Sequence, residues 1–115
     1  MANTMMRNML AGGLLLAATV LPATAHAGNE DRARAAVASA QAKLETGEKL
    51  GFTGAAADVQ ARARAALTEA QRQIKDDDED SAYHAAQRAT ALADFAIATA
   101  ELQKLTAERD RLAAR

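Results

Sequence analysis

The longest run of regularly spaced apolar positions lies between Ser81 and about Arg115 and predicts one long helix. Its small apolar residues recur at intervals of three and four, which places them on one helix face: Ala82, Ala85, Ala86, Ala89, Leu92, Ala93, Ala96 and Ala100. Because nearly all of these side chains are alanine, the face buries useful area only if another helix lies close against it. The rest of the folded chain is therefore expected to cover this face.

Two shorter helices are predicted before it. The first, about 29–48, is capped by Asn29, ends at Gly47 or Gly51, and has one apolar face: Ala33, Ala36, Val37, Ala40 and Leu44. The second, about 55–75, starts near Thr53 or Asp58 and has a similar face: Val59, Ala63, Ala66, Leu67, Ala70 and Ile74. Between them, Leu50 and Phe52 are expected to fold back as an apolar plug over one end of the bundle.

These three helices, the third at about 81–113, predict an all-α fold. No segment alternates apolar and polar residues, so no strand is expected. The predicted architecture is an up-down-up bundle in which the second and third helices form a close antiparallel hairpin. The third helix, about 35 residues or roughly 52 Å long at 1.5 Å per residue, exceeds its neighbours and is expected to overhang them.

The overhang carries a different apolar pattern. Ala98, Leu102, Leu105 and Leu112 follow coiled-coil spacing, which Arg109 interrupts. A leucine seam of this kind left in water is an association surface. The tail is therefore expected either to fray or to pack against another chain, with Leu102, Leu105 and Leu112 as the interaction residues.

Residues 1–27 have the three-part form of a cleavable secretory signal. Arg7 supplies the positive charge, residues 9–21 an apolar run too short to span a bilayer comfortably, and Ala25 and Ala27 the small residues before a cleavage site. The alternatives are a buried core helix and an uncleaved membrane anchor. The folded domain is accordingly predicted at 28–115, in the periplasm, without stable membrane insertion after cleavage. Since the chain has no cysteine, neither disulfides nor a lipoprotein anchor are expected.

Charge and aromatic content exclude several partner classes. Loss of Arg7 with the signal would leave one basic side chain fewer than the 14 in the sequence, against 15 acidic ones. This balance provides no clustered basic surface for nucleic acid or anionic lipid. With one tyrosine, two phenylalanines and no tryptophan, the chain also offers hardly any stacking platform for bases or sugars.

The acidic run from Asp76 to Asp80 admits two interpretations. Clustered carboxylates suit a hard cation such as calcium, with Asp76, Asp78 and Asp80 as weak candidate ligands. The run lacks the alternate spacing and central glycine of an EF-hand loop. The structural interpretation is that Asp80 or Ser81 caps the third helix, while the preceding acids meet the positive end of its dipole.

Residues that could support catalysis are sparse. Without His26 the chain retains only His84, which cannot build a zinc site of normal ligand number without carboxylates. No nucleophile elbow surrounds Ser39 or Ser81, and Asp94, expected to be half-buried, has no paired carboxylate. The glycines of 47–54 lack the ending of a phosphate loop. The sequence therefore predicts no enzyme, no cofactor and no metal centre.

Two segments carry a family resemblance. ARARAALTEAQRQI (61–74), a short acidic turn and SAYHAAQRATALADFAIATAE (81–101) resemble the domain-of-unknown-function family numbered four-three-nine-eight, whose alanine-rich helical modules often precede OmpA-like domains. The resemblance implies an envelope location and a helical hairpin related in shape to tetratricopeptide repeats, and it implies no catalytic or binding residues. Many members carry a lipoprotein cysteine and some a peptidoglycan-binding domain, and neither is present in this chain.

The function these observations favour is that of a non-enzymatic periplasmic interaction or structural protein. Its partner is expected to be a second copy or an unknown envelope protein. The alternative is a small cation-binding or stress protein, including a chaperone-like one, that acts through Asp76–Asp80.

Overall fold

A computed structural model describes the backbone of residues 24–115 and the side chains of residues 28–115. Residues 24–115 form three helices: α1 Thr24–Leu50, α2 Gly54–Lys75 and α3 Glu79–Ala113. They run up-down-up, the most extensive contact lies in the α2–α3 hairpin, and residues 24–115 contain no strand. The predicted all-α three-helix bundle is confirmed. The predicted signal lies outside the described residues except for the backbone of residues 24–27, and nothing is described of the Ala25 and Ala27 side chains.

The start of α1 differs from the prediction. Asn29 does not cap the helix, because α1 already begins at Thr24 and Asn29 lies within it. Gly28 disfavours a helix by about 1 kcal/mol relative to alanine, but no proline stands between Thr24 and Asn29 to prevent an earlier start. A good capping residue permits a helix start but does not impose one.

Gly51 ends α1 and Gly47 lies inside it. Gly51 adopts φ +65°, a left-handed conformation that suits glycine after the last helical residue, and its amide donates to the Glu48 carbonyl over 3.2 Å. Thr53 follows in an extended conformation and precedes the first turn of α2. Three residues thus suffice to reverse the chain direction.

Gly47 lies where two side chains approach α1 closely. A Cβ at this position would lie 2.7 Å from Gln60 Nε2 and 2.8 Å from the Phe52 ring. Gln60, a buried polar residue of α2, donates that Nε2 to the Leu44 carbonyl over 2.9 Å. Phe52 is accordingly half-buried, but Leu50 is 60% exposed, so the predicted apolar plug is wrong for Leu50.

The core consists mostly of alanine. Among the buried apolar side chains of residues 28–115, only Leu44, Val59 and Leu67 are larger than alanine. The buried alanines come from all three helices: Ala33, Ala40, Ala56, Ala63, Ala66, Ala70, Ala82, Ala85, Ala86, Ala89, Ala93 and Ala96. Six of the eight predicted positions on α3 are buried, while Leu92 and Ala100 are partly buried. Methyl groups facing each other let the helix backbones approach closely, and this contact holds the bundle together.

α3 extends beyond the other two helices. At the end of the bundle, Gln103 Oε1 accepts from the Ala56 amide and its Nε2 donates to the Thr53 carbonyl, each over 3.3 Å. Every residue from 101 to 115 is exposed. The predicted overhang is confirmed. Among the described residues, no helix combines the length and apolarity needed to cross a lipid bilayer.

The alanine contact predicts how the bundle responds to a larger side chain. Ala63→Leu adds three carbons at a fully buried position of α2, and we expect it to lower the free energy of unfolding by about 1–3 kcal/mol. Urea denaturation measures this change. Ala61→Leu, two residues away at an exposed position of the same helix, is the matched control and should shift stability by less than about 0.5 kcal/mol. Equal stability of the two variants would contradict close packing at Ala63.

Candidate functional site

The most extensive exposed apolar surface of α3 is a row of side chains that we call the outer seam. It comprises Phe95, Ala98, Leu102, Leu105, Arg109 and Leu112. Its four large apolar members, Phe95, Leu102, Leu105 and Leu112, are 58–65% exposed. The predicted interaction residues Leu102, Leu105 and Leu112 all lie on it.

The outer seam lies on the side of α3 opposite the core. At about 100° per residue, Leu102 and Leu105 point roughly 180° away from Ala93 and Ala96, which are fully buried. The seam also begins before the overhang, because Phe95 is exposed on the same turns that bury those two alanines. The outer seam is therefore a separate face of the helix. Its first half lies alongside the bundle, and its second half lies on the overhang.

Phe95 is the member of the outer seam that sequence reasoning missed. It precedes Ala98 by three residues, so the same alternation of three and four would have included it. The prediction followed the alanines around Phe95, which lie on the opposite face of the helix. With Phe95 the seam covers 18 residues, or roughly 26 Å of helix at 1.5 Å per residue.

A shallow groove lies beside the bundle end of α3. It has a volume of about 550 Å³, is open to solvent, and is lined by nine residues: Leu50, Gly51, Phe52, Thr53, Ile97, Ala100, Glu101, Gln103 and Lys104. Two of them, Glu101 and Lys104, are charged and exposed. The groove can accept an apolar side chain from a partner.

The acidic turn is organised as a helix cap. Asp78 caps α3, and its Oδ1 accepts a hydrogen bond from the Ser81 amide over 3.2 Å. The predicted caps Asp80 and Ser81 are wrong, since both lie in the first turn of the helix, two and three residues beyond the actual cap. Asp77 adopts φ +57° and completes the reversal between α2 and α3.

The candidate cation ligands are not assembled into a site. Asp76, Asp78 and Asp80 are all exposed, and within the described residues no three carboxylate, histidine or cysteine groups converge on a point that could hold a metal ion. The carboxylate of Asp78 is directed to the helix amide instead. The role of the Asp78 carboxylate is therefore to cap the positive end of the α3 dipole.

The other polar candidates lie apart from one another. His84 is exposed and packs edge-on against Tyr83, with ring centroids 5.6 Å apart. Asp94 is also exposed, against the expectation of half burial, and its carboxylate accepts from Lys43 Nζ of α1 over 2.6 Å. Ten residues separate His84 from Asp94 along one helix, about 15 Å, so they do not share a site.

Tyr83 joins α1 to α3 near the acidic turn. The Arg32 guanidinium lies over its ring, 3.9 Å from the centroid, and the Gln87 amide donates to its phenolic oxygen over 2.8 Å. Arg32 first and Gln87 second lower the pKa of Tyr83, because both favour the phenolate. This contact supports the bundle at the end opposite Gln103.

Comparison with protein-family models, curated proteins and solved structures found no match to this chain. The resemblance drawn from residues 61–74 and 81–101 therefore stays a prediction. What the protein does has to be inferred from the outer seam and from the residues around it.

The Tyr83 contact makes a prediction that absorbance can test, because the chain contains one tyrosine. In the native protein the phenolate should form at a pH below the ordinary tyrosine pKa of about 10. Arg32→Gln removes the cation over the ring and should move the pKa upward. Arg34→Gln, whose arginine pairs with Glu30 instead, is the control and should leave it unchanged. An identical titration for both variants would contradict the contact.

Proposed function

We propose that this protein is a non-enzymatic helical interaction protein of the bacterial periplasm, and that it binds through the outer seam of α3. Its partner is a second copy or another protein of the envelope. The observation that carries the proposal is the exposure of Leu102, Leu105 and Leu112 on a helix face that its own bundle leaves uncovered. Rows of large apolar side chains on a soluble domain mark sites of association.

The coiled-coil spacing of the outer seam supports a helical partner. Apolar side chains at intervals of three and four fit between those of a second helix as knobs into holes. Burial of a leucine that is now mostly in water contributes about 1.5–3 kcal/mol at most. Three such leucines and Phe95 thus supply enough apolar surface for a specific contact of moderate strength.

Because the core is small, binding of a partner through the outer seam also affects the stability of the fold. Alanine buries little area, so a bundle of this size is expected to be of marginal stability on its own. A partner that binds only the folded state adds stability in proportion to its concentration above the dissociation constant. Partner binding and folding of α3 beyond Gln103 would then be linked.

The periplasmic location rests on the signal predicted in residues 1–27. Its support is the sequence of Arg7, the apolar run and the small residues Ala25 and Ala27, together with the family resemblance. The intact mass of the exported protein tests it directly. A mass that corresponds to a chain beginning at Gly28 or His26 supports cleavage. A mass that still includes residues 1–25 supports a retained membrane anchor instead.

The proposal predicts the effect of a charge in the outer seam. Leu105→Glu should reduce self-association, or the recovery of a crosslinked envelope partner, at least tenfold. The reason is that the contact would bury a carboxylate without a counterion. Sedimentation and crosslinking pull-down from the envelope fraction measure the two outcomes, and circular dichroism checks that helicity is retained.

The matched control is Ala107→Glu. Ala107 lies two residues further along the same overhang, is exposed, and is outside the outer seam. This variant introduces the same charge and should retain the association of the unchanged protein. If Leu105→Glu keeps both its solution mass and its partners, the proposal is wrong.

A further inference from the structure

The outer seam is complementary to itself when a second copy runs in the opposite direction. Its spacing places Phe95, Leu102 and Arg109 at one core position of the heptad and Ala98, Leu105 and Leu112 at the other. A two-fold axis between Gln103 and Lys104 exchanges the two sets. Each member then faces another member of the seam: Phe95 faces Leu112, Ala98 faces Arg109, and Leu102 faces Leu105.

Arg109 decides between the two possible directions. In a parallel pair each seam residue faces its own equivalent, so two Arg109 guanidinium groups would meet in the apolar contact. In the antiparallel pair Arg109 faces Ala98, whose small side chain leaves room for the aliphatic part of the arginine. The guanidinium can then lie at the edge of the contact, beside the exposed Glu101 of the other copy.

The charges along the helix favour the same direction. Residues 94–101 contain two carboxylates, Asp94 and Glu101, and no basic side chain, whereas residues 109–115 contain three arginines and one aspartate. Antiparallel pairing places these two segments side by side. It also brings Glu101 near Glu108 of the other copy, a repulsion that Arg109 in the same turn offsets. Asp94 also retains its ion pair with Lys43 of its own chain when the two copies pair.

The shape of the molecule leaves space for this pairing. The outer seam lies opposite the face that contacts α1 and α2, so neither helix stands between two copies joined through it. Both of those helices cover only the part of α3 before Gln103. Antiparallel pairing therefore places the two bundles at opposite ends, and each overhang covers Phe95 of the other copy with its own Leu112.

We infer that the outer seam is occupied by a second copy of this chain, as an antiparallel pair of α3 helices whose two-fold axis passes between Gln103 and Lys104. This inference rests on the proposed function and specifies the partner. Since the paired stretch contains fewer than three heptads, the dimer should dissociate on dilution.

Cysteine crosslinking tests the direction and the register, because the chain contains no cysteine of its own. Ala98→Cys and Arg109→Cys are prepared as single variants of the full chain and treated with a short bis-maleimide, first alone and then mixed in equal amounts. In the antiparallel dimer, equivalent cysteines are about 16 Å apart along the axis, so Ala98→Cys, which keeps Arg109, should not crosslink with itself. The mixture should give a covalent dimer, since Ala98 faces Arg109.

Two results would overturn the inference. Efficient crosslinking of Ala98→Cys with itself would show a parallel pair. Absence of a covalent dimer from the mixture, together with a monomeric mass of the unchanged protein at about 100 μM, would show that no second copy binds. If that monomer still loses an envelope partner through Leu105→Glu, the proposed function stands and the inference alone fails; if it has no Leu105-dependent partner, both fail.

Discussion

The contact between alanine faces is the interaction on which the rest of the structure depends. A buried methyl group removes little apolar area from water, so each alanine contributes weakly and the helices have to lie close together over many turns. Ala63 of α2 and Ala93 of α3 belong to the same core cluster and are fully buried. Gly47 is an extreme case of the same close packing. It has no Cβ, and Gln60 and Phe52 approach α1 at this position. Larger side chains at these positions would separate the helices and lose the contact.

This constraint also fixes where the bundle ends. α1 and α2 are 27 and 22 residues long and α3 has 35, so the two shorter helices cannot cover the whole of the third. Gln103 closes the bundle with two hydrogen bonds to the start of α2. The outer seam starts on the opposite face of α3 at Phe95 and continues beyond Gln103 through Leu105 and Leu112. The side chains that would make a strong contact are thus kept away from the core, which has no room for them, and presented on the opposite face.

Periodicity made the helices, the hairpin and the overhang predictable. The spacing of alanines defined the buried face of α3, and the two glycines at 47 and 51 limited where α1 could end, which the structure places at Leu50. Choices between similar neighbours were not predictable. Five consecutive acids, residues 76–80, span the start of α3, and Asp78 became the cap because the left-handed Asp77 turns the chain immediately before it. Contacts between residues distant in sequence, such as Lys43 with Asp94, depend on how the helices are rotated about their axes, which a spacing pattern does not fix.

The central claim is that α3 is held by its own bundle only as far as Gln103. Amide hydrogen exchange along α3, measured in protein dilute enough to be monomeric, tests this most directly because it reports local opening residue by residue. We expect slow exchange from Ala85 to Ala96 and exchange at least tenfold faster beyond Lys104. Equal protection along the whole of α3 in the monomer would contradict it.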